Sequence, residues 1–138
     1  MTEDSARHAW RLMRTLMFEV HEGRHEVAET LQMSYIRAKA LMRLASGPRT
    51  MRELAAKLST DAPYTSVVID DLERRGLVER RPHPDDRRVK IVSITPAGAA
   101  AAAIAERIQS QPPAAFDKLG AADAATLERI LSQLVSDS

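Results

Sequence analysis

The chain has 138 residues, with 20 Lys and Arg against 19 Asp and Glu, so its formal net charge is only +1. This length suits one domain, and 4% aromatic residues favour a core of aliphatic, Ala-rich helices. The absence of Cys excludes disulfides, thiolate metal sites and a cysteine redox switch. We find no secretory signal or long apolar run, so we expect a cytoplasmic protein without membrane contact.

The N-terminal third contains two predicted helices. Apolar side chains recur at helical spacing through the first, at residues 6–20: Ala9, Leu12, Met13, Leu16, Met17 and Val20, with Trp10 beside them. Gly23 weakens this helix, because glycine is a poor helix former. A second helix is predicted to begin after Ser34, a candidate N-cap, and to end at Gly47 and Pro48.

The next segment has the pattern of a helix-turn-helix. Thr50 and Glu53 have the spacing of a capping box, which begins a short amphipathic third helix. A turn at residues 59–61 follows, and Asp61 is the expected N-cap of the fourth helix. Helical spacing predicts the core-facing residues of that helix: Thr65, Val68, Ile69 and Leu72. Gly76 is expected to end it.

A basic β-hairpin is predicted after the fourth helix. Strand-like sequences at residues 78–81 and 89–94 flank a turn rich in Pro and Asp. Residues 74–90 contain seven Arg and Lys but three Asp and Glu, a local charge of +4. A helix followed by a basic hairpin is the layout of a winged helix-turn-helix, which places the helix in the major groove of DNA.

Two further helices are predicted after the hairpin. Thr95 and Pro96 begin the fifth, which extends to Gln111 before a Pro-Pro pair. The last helix has one apolar face: Leu127, Ile130, Leu131 and Leu134. The apolar stripes of the first, fifth and last helices favour burial against a second copy of the chain.

We therefore expect one domain over residues 1–138, mostly α-helical with a small β-hairpin. Its winged helix-turn-helix core would span about residues 34–95. The dimerisation helices would lie at about residues 5–28 and 96–138.

The segments DLERRGLVERRPHPDDRR (residues 71–88) and ITPAG (residues 94–98) resemble the multiple-antibiotic-resistance regulator (MarR) family. Asp86 and Arg88 match the Asp-x-Arg of its wing tip, and Ile94 stands where Leu is usual. The resemblance implies a homodimeric transcription factor, usually a repressor, that binds a pseudo-palindromic operator of double-stranded DNA. It also implies release by a small ligand such as a phenolic acid, and no cofactor.

Candidate DNA contacts in the wing are cationic. Arg88, oriented by Asp86, is expected to enter the minor groove, where narrow A·T tracts attract arginine. Arg87 and Lys90 are expected to contact phosphates, which adds affinity without sequence information. Further phosphate contacts are expected from the wing strand and from the start of the third helix: Arg80 or Arg81, and Thr50 and Arg52.

In the fourth helix, the exposed N-terminal side chains are expected in the major groove: Pro63, Tyr64, Ser66 and Val67. Ser66 can bond a base or a phosphate, and Val67 can touch a thymine methyl group. Tyr64 either contacts DNA or packs within the protein. Asp70 and Asp71 would repel phosphate, so we expect them to point away from DNA or to pair with arginine.

A ligand pocket between the dimerisation helices and the DNA-binding lobe would be lined by Trp10, Met17, Met33 and Tyr35, which are otherwise ordinary core residues.

Two alternative functions remain at this stage. An architectural DNA-binding protein without operator specificity is disfavoured by the low net charge. Residues 21–25, HEGRH, fit the HExxH pattern of zinc proteases, with His21 and His25 as ligands. Gly23 inside that segment and the missing third ligand disfavour an enzyme, and solvated histidines at a frayed helix end are favoured over either a protease or a regulatory metal site.

Overall fold

The computed structural model describes residues 2–19 and 21–136, although the side chains of residues 2, 3, 19, 21 and 22 are not included in that description. The helices are α1 (Thr2–Glu19), α2 (His21–Leu31), α3 (Tyr35–Leu44), α4 (Met51–Leu58), α5 (Ala62–Arg74), α6 (Pro96–Gln109) and α7 (Ala121–Val135). A 3₁₀ helix spans Ala114–Lys118, and the strands are β1 (Arg49–Thr50), β2 (Val78–Pro82) and β3 (Lys90–Ile94). The predicted winged-helix architecture, mostly α with a small antiparallel sheet, is confirmed.

The N-terminal helical region differs from the sequence prediction. The predicted first helix corresponds to α1, but helical structure is also present from His21 to Leu31 (α2), and Gly23 lies inside α2. Val20, which we placed in the first helix, lies outside the described residues. The side chain that fixes α2 is Val27, which is fully buried against α3 and α6.

The wing contains a strand that the sequence did not predict. β1 pairs antiparallel with β3, with Thr50 opposite Ile91, so the sheet has the order β1-β3-β2. In β2 and β3, Val78 pairs with Ile94 and Pro82 with Lys90. Strand β1 attaches the wing to the start of α4, because Arg49 and Thr50 immediately precede that helix.

One main hydrophobic core lies beneath the helix-turn-helix. Its largest fully buried side chains come from α3, α4 and α5: Leu41, Leu44, Leu54, Ile69 and Leu72. Val78 and Val92 of the wing strands complete it. All four predicted core-facing residues of α5 are buried, so the opposite face of that helix points outward.

Local side-chain interactions define the starts of α3 and α4. Thr50 and Glu53 form the predicted capping box, with bonds of 3.1 Å and 2.9 Å. Hydrogen bonding from Thr50, chiefly from its backbone N–H, holds the pKa of the Glu53 carboxyl below its ordinary value. Ser34 occupies the predicted N-cap position, but its hydroxyl accepts from Arg37 rather than from the helix backbone.

The start of α6 lies against the base of the wing. The hydroxyl of Thr95 donates to the carbonyl of Gly76 (2.7 Å) and accepts from the backbone N–H of Gly98 (3.1 Å). A Cβ added at Gly98 would lie 2.1 Å from the carbonyl oxygen of Leu77. Only glycine therefore allows this approach of helix to backbone. The helix ends at Gln109, two residues earlier than predicted.

Among the described helices, none combines the length and apolar character needed to cross a membrane.

Candidate nucleic-acid interface

A network of hydroxyl groups fixes the turn between α4 and α5. The carboxylate of Asp61 accepts the N–H of Tyr64 (2.7 Å), as predicted for an N-cap. Thr65 is fully buried and donates its hydroxyl to the carbonyl of Asp61 (2.8 Å), so the hydroxyl of Thr60 donates to Thr65 (2.7 Å). The buried hydroxyl of Thr65 is thereby satisfied both as donor and as acceptor, which gives α5 a defined orientation on α4.

The N-terminal half of α5 presents the four side chains predicted for the major groove. Tyr64 and Val67 are 43% and 53% exposed, and Pro63 is also exposed. Ser66 is partly buried at the edge of this surface. These residues share the outer face of the helix, because Thr65 and Val68 point into the core.

The wing tip carries an arginine held by an aspartate. Two of the three guanidinium nitrogens of Arg88 donate to the carboxylate of Asp86, Nε at 3.1 Å and Nη2 at 3.3 Å, and the backbone N–H of Arg88 donates to the same group. These bonds hold the pKa of Asp86 below its ordinary value. The side chain of Arg88 is nonetheless 91% exposed. The pair orients the guanidinium without burying it.

Three other predicted contacts are exposed cations. Arg52 lies at the start of α4, and Arg87 and Lys90 lie in the wing. Within the described part of the chain, none of the three forms an ion pair. Arg81 is also exposed but is 3.1 Å from Glu79. The unpaired cations are free to attract phosphate.

Arg80 has a different environment from the other wing cations. Its guanidinium Nη2 is 2.5 Å from Asp70 and 2.9 Å from Glu73, both on α5, and only 27% of its side chain is exposed. The hydrogen bond from Arg80 holds the pKa of Glu73 below its ordinary value, although partial burial opposes this. Arg80 therefore joins β2 to α5.

Asp71 is the centre of an ion-pair cluster whose members the sequence did not reveal. Its carboxylate is 2.8 Å from Arg37 of α3, 3.0 Å from Arg75 and 3.2 Å from Arg74. Partial burial raises the pKa of Asp71, but the arginines outweigh it and the net pKa is lowered. Arg75 also donates to the backbone carbonyl of Gln32 (2.9 Å). The cluster connects the C-terminal end of α5 to the α2–α3 turn.

Only two of the four predicted ligand-pocket residues line the same groove. Trp10 and Met17 line an open groove of about 240 Å³ with Phe18 and Arg24. Met33 packs instead against the main core and against a smaller buried cluster of Val27, Ala38 and Ala105. Tyr35 is adjacent to the groove, because it contacts Arg24. The guanidinium carbon of Arg24 is 5.1 Å from the centre of the Tyr35 ring.

The HExxH segment lies in the first turns of α2. His25 Nε2 is 3.0 Å from Glu29 Oε1, whereas the side chains of residues 21 and 22 are outside the described set. Among the side chains that are described, no group of three or more His, Asp or Glu is arranged to hold a metal ion. A catalytic zinc site needs three protein ligands, and the described side chains do not provide such a set.

Comparison with known proteins identifies relatives of this interface. The MarR family model matches residues 31–89, which include α3 to the wing tip. The chain is 34% identical over 95 residues to the multiple antibiotic resistance protein MarR of Salmonella typhimurium. That match covers 65% of this chain and 64% of the relative, so the chain matches slightly less than two thirds of that protein's length.

Solved structures resemble the chain over nearly its whole length. Wild-type apo MarR from E. coli is 27% identical, with a TM-score of 0.79, and the match covers 91% of this chain and 94% of that one. An E. coli MarR mutant complexed with operator DNA is also 27% identical, with a TM-score of 0.67 and 91% coverage of both chains. The regulator BldR from Sulfolobus solfataricus, at 22% identity and a TM-score of 0.69 over 96% and 97% of the two chains, shares the fold.

Proposed function

This chain belongs to the MarR family of transcriptional regulators, and we propose that it binds double-stranded DNA in a sequence-specific way as a homodimer. Members of this family are DNA-binding regulators and not enzymes. The observation that carries the proposal is the combination of an exposed recognition-helix surface with unpaired cations at the wing. The E. coli relative that was solved with operator DNA supports it.

The two elements would contact DNA in different ways. Tyr64 and Val67 lie on the outer face of α5, where a recognition helix meets base edges in the major groove. Arg88 would enter the adjacent minor groove, and Arg87 and Lys90 would neutralise phosphates. Thr50 and Arg52, at the N-terminal end of α4, would add contacts to the phosphate backbone of the DNA. Base contacts would then supply specificity, and the cations would supply affinity.

The dimer is supported by apolar surface at both ends of the chain. On α1, Trp10 and Met17 are exposed, and on α7, Ile130 and Leu134 are exposed. Within the described residues, α7 has no extensive packing against another helix or strand. We propose that residues 5–28 and 96–138 bury these surfaces against a second copy. Two recognition helices about 34 Å apart would then match half-sites one DNA turn apart.

We further propose that the protein is a repressor released by a small aromatic ligand. The groove beside Trp10 and Met17 has a mainly apolar lining with two cations, Arg14 and Arg24. A ligand there would contact α1 and α2, and the Asp71 cluster connects the α2–α3 turn to the recognition helix. By linkage, such a ligand weakens DNA binding only as far as it prefers a different arrangement of the dimer.

The proposal is tested by selecting genomic DNA fragments with the purified protein at near-physiological salt and sequencing them. Enrichment of an inverted repeat, with half-sites about one turn apart, is the expected result. Uniform recovery of fragments would instead support the architectural alternative, and recovery of none would refute DNA binding. Light scattering on the same sample measures whether the protein is a dimer. Titration of phenolic acids into the operator complex tests release.

A further inference from the structure

The surface of α5 that faces DNA in the proposed complex is mainly hydrocarbon. Tyr64 and Val67 lie about one helical turn apart on the same face. Their neighbours in the sequence, Thr65 and Val68, are fully buried. Pro63 extends the same exposed surface toward the helix N-terminus. A recognition helix with this surface would contact the major groove through its shape and its apolar side chains more than through charge.

The side chains that usually hydrogen-bond purine bases are absent or engaged along this helix. Guanine is most often contacted by Arg or Lys, and adenine by Asn or Gln. The sequence of α5 contains no Lys, Asn or Gln. Its single arginine, Arg74, lies at the C-terminal end and is 3.2 Å from Asp71. Asp70, which could accept from cytosine, is paired with Arg80 instead.

The hydrogen-bonding groups left on the exposed half of α5 are the hydroxyls of Tyr64 and Ser66. A single hydroxyl discriminates weakly, because it can donate to or accept from several bases. The remaining distinctive group in the major groove is the C5 methyl of thymine, which cytosine lacks. Val67 is exposed, and as a β-branched side chain it strongly prefers one rotamer on a helix. It can therefore meet a methyl group with little loss of side-chain freedom.

We propose that Val67 determines operator specificity by packing against the C5 methyl group of a thymine in each half-site. This inference rests on the sequence-specific DNA binding proposed above, and it names the chemical group that is recognised. Tyr64, one turn away, borders the same contact and excludes water from it. Each half-site should therefore contain one thymine whose methyl group, rather than its base-pairing edge, controls affinity.

The test replaces thymine by uracil, which removes the methyl group and keeps the base pair. Burial of one methyl-sized group changes an equilibrium constant by about fourfold. Uracil at the contacted position of one half-site should therefore weaken binding about fourfold. The same change in both half-sites should weaken it about fifteenfold, since distant sites add. Binding of wild-type protein to operator duplexes with each thymine replaced in turn is measured by fluorescence anisotropy.

Two variants assign the effect to a side chain. Val67→Ala should bind thymine and uracil operators equally, and should fold, because alanine favours an exposed helical position. Val89→Ala, at an exposed valine of the wing, is the matched control and should keep the fourfold preference.

The possible outcomes separate the inference from the proposed function. A thymine preference that disappears in Val67→Ala and persists in Val89→Ala supports the inference. Binding to a selected operator that does not respond to uracil at any position overturns the inference and leaves the proposed function standing. A thymine preference that survives in Val67→Ala overturns the assignment to this residue. Failure to bind any duplex overturns the proposed function and this inference together.

Discussion

Replacement of Arg80 by alanine distinguishes two roles that an arginine can have near DNA. The sequence predicts Arg80 or Arg81 as a phosphate contact, because both lie in a basic wing. The guanidinium of Arg80 is shared by Asp70 and Glu73, so these three groups together carry a net negative charge. A cation in that position has little to offer a phosphate. We expect Arg80 instead to hold β2 at a fixed position on α5.

The salt dependence of DNA binding separates the two roles. Each phosphate neutralised contributes about −0.9 to the slope of log K against log salt concentration. In a dimer, Arg87→Ala removes two such contacts and should flatten the slope by about 1.8. Arg80→Ala should lower the operator affinity, because the wing is no longer held, but should leave the slope unchanged. Equal flattening in the two variants would refute the assignment of Arg80 to wing positioning.

The same variant has a defined effect on stability. Both carboxylates are substantially exposed, so the two ion pairs together are expected to contribute only about 0.5–2 kcal/mol. Because Arg80 lowers the pKa of Glu73 in the folded state, the contribution is present above the unfolded pKa of about 4.3. It is lost as the pH falls through the lower folded pKa. Urea unfolding should therefore show a difference between wild type and Arg80→Ala at pH 7 that shrinks in acid.

Three further substitutions test other parts of the structure. Arg88→Ala should weaken operator binding by about 1–3 kcal/mol in anisotropy titrations if Arg88 contacts bases, whereas an isotherm like that of wild type would remove that contact from the proposal. Gly98→Ala should lower the free energy of unfolding by about 1–3 kcal/mol, since its Cβ would overlap the Leu77 carbonyl. The control Gly23→Ala, in a helix with open space around it, should raise that free energy by about 0.5–1 kcal/mol, and equal effects of the two would contradict the packing argument. Leu134→Glu should convert the proposed dimer to a monomer in light scattering, because a charge on the apolar face of α7 opposes burial; a dimer that persists would exclude that face from the interface.

The features that could be predicted from sequence depend on residues close together in the chain. The caps at Thr50, Asp61 and Thr95 each involve a partner three residues away, so a short pattern contains all the information. The buried face of α5 likewise follows from helical spacing. The opposite, exposed face of α5, with Pro63, Tyr64 and Val67, follows from the same spacing.

The features that were missed depend on tertiary contacts. Charge alone indicated that Asp70 and Asp71 would pair with arginines or point away from DNA, and both do pair. The charge pattern could not identify Arg37 as a partner of Asp71, because the two residues are 34 positions apart and meet only when α3 packs against α5. Strand β1 has two residues and no alternating pattern, so it is defined solely by its pairing with β3. Helix α2 has only one fully buried apolar side chain, Val27, which is too weak a periodic signal.

The contact between Gly98 and the Leu77 carbonyl has a mechanical consequence. No side chain separates the first turn of α6 from the base of the wing, so the two cannot slide past one another. The 14 residues of α6 form a rod of about 21 Å, and a tilt of about 10° about its far end moves the near end by about 4 Å. This displacement is similar to the rise of about 3.4 Å between successive base pairs. In the proposed complex, a small reorientation of α6 would therefore shift the wing by about one base-pair step along the DNA, and would change the half-site spacing that the dimer fits.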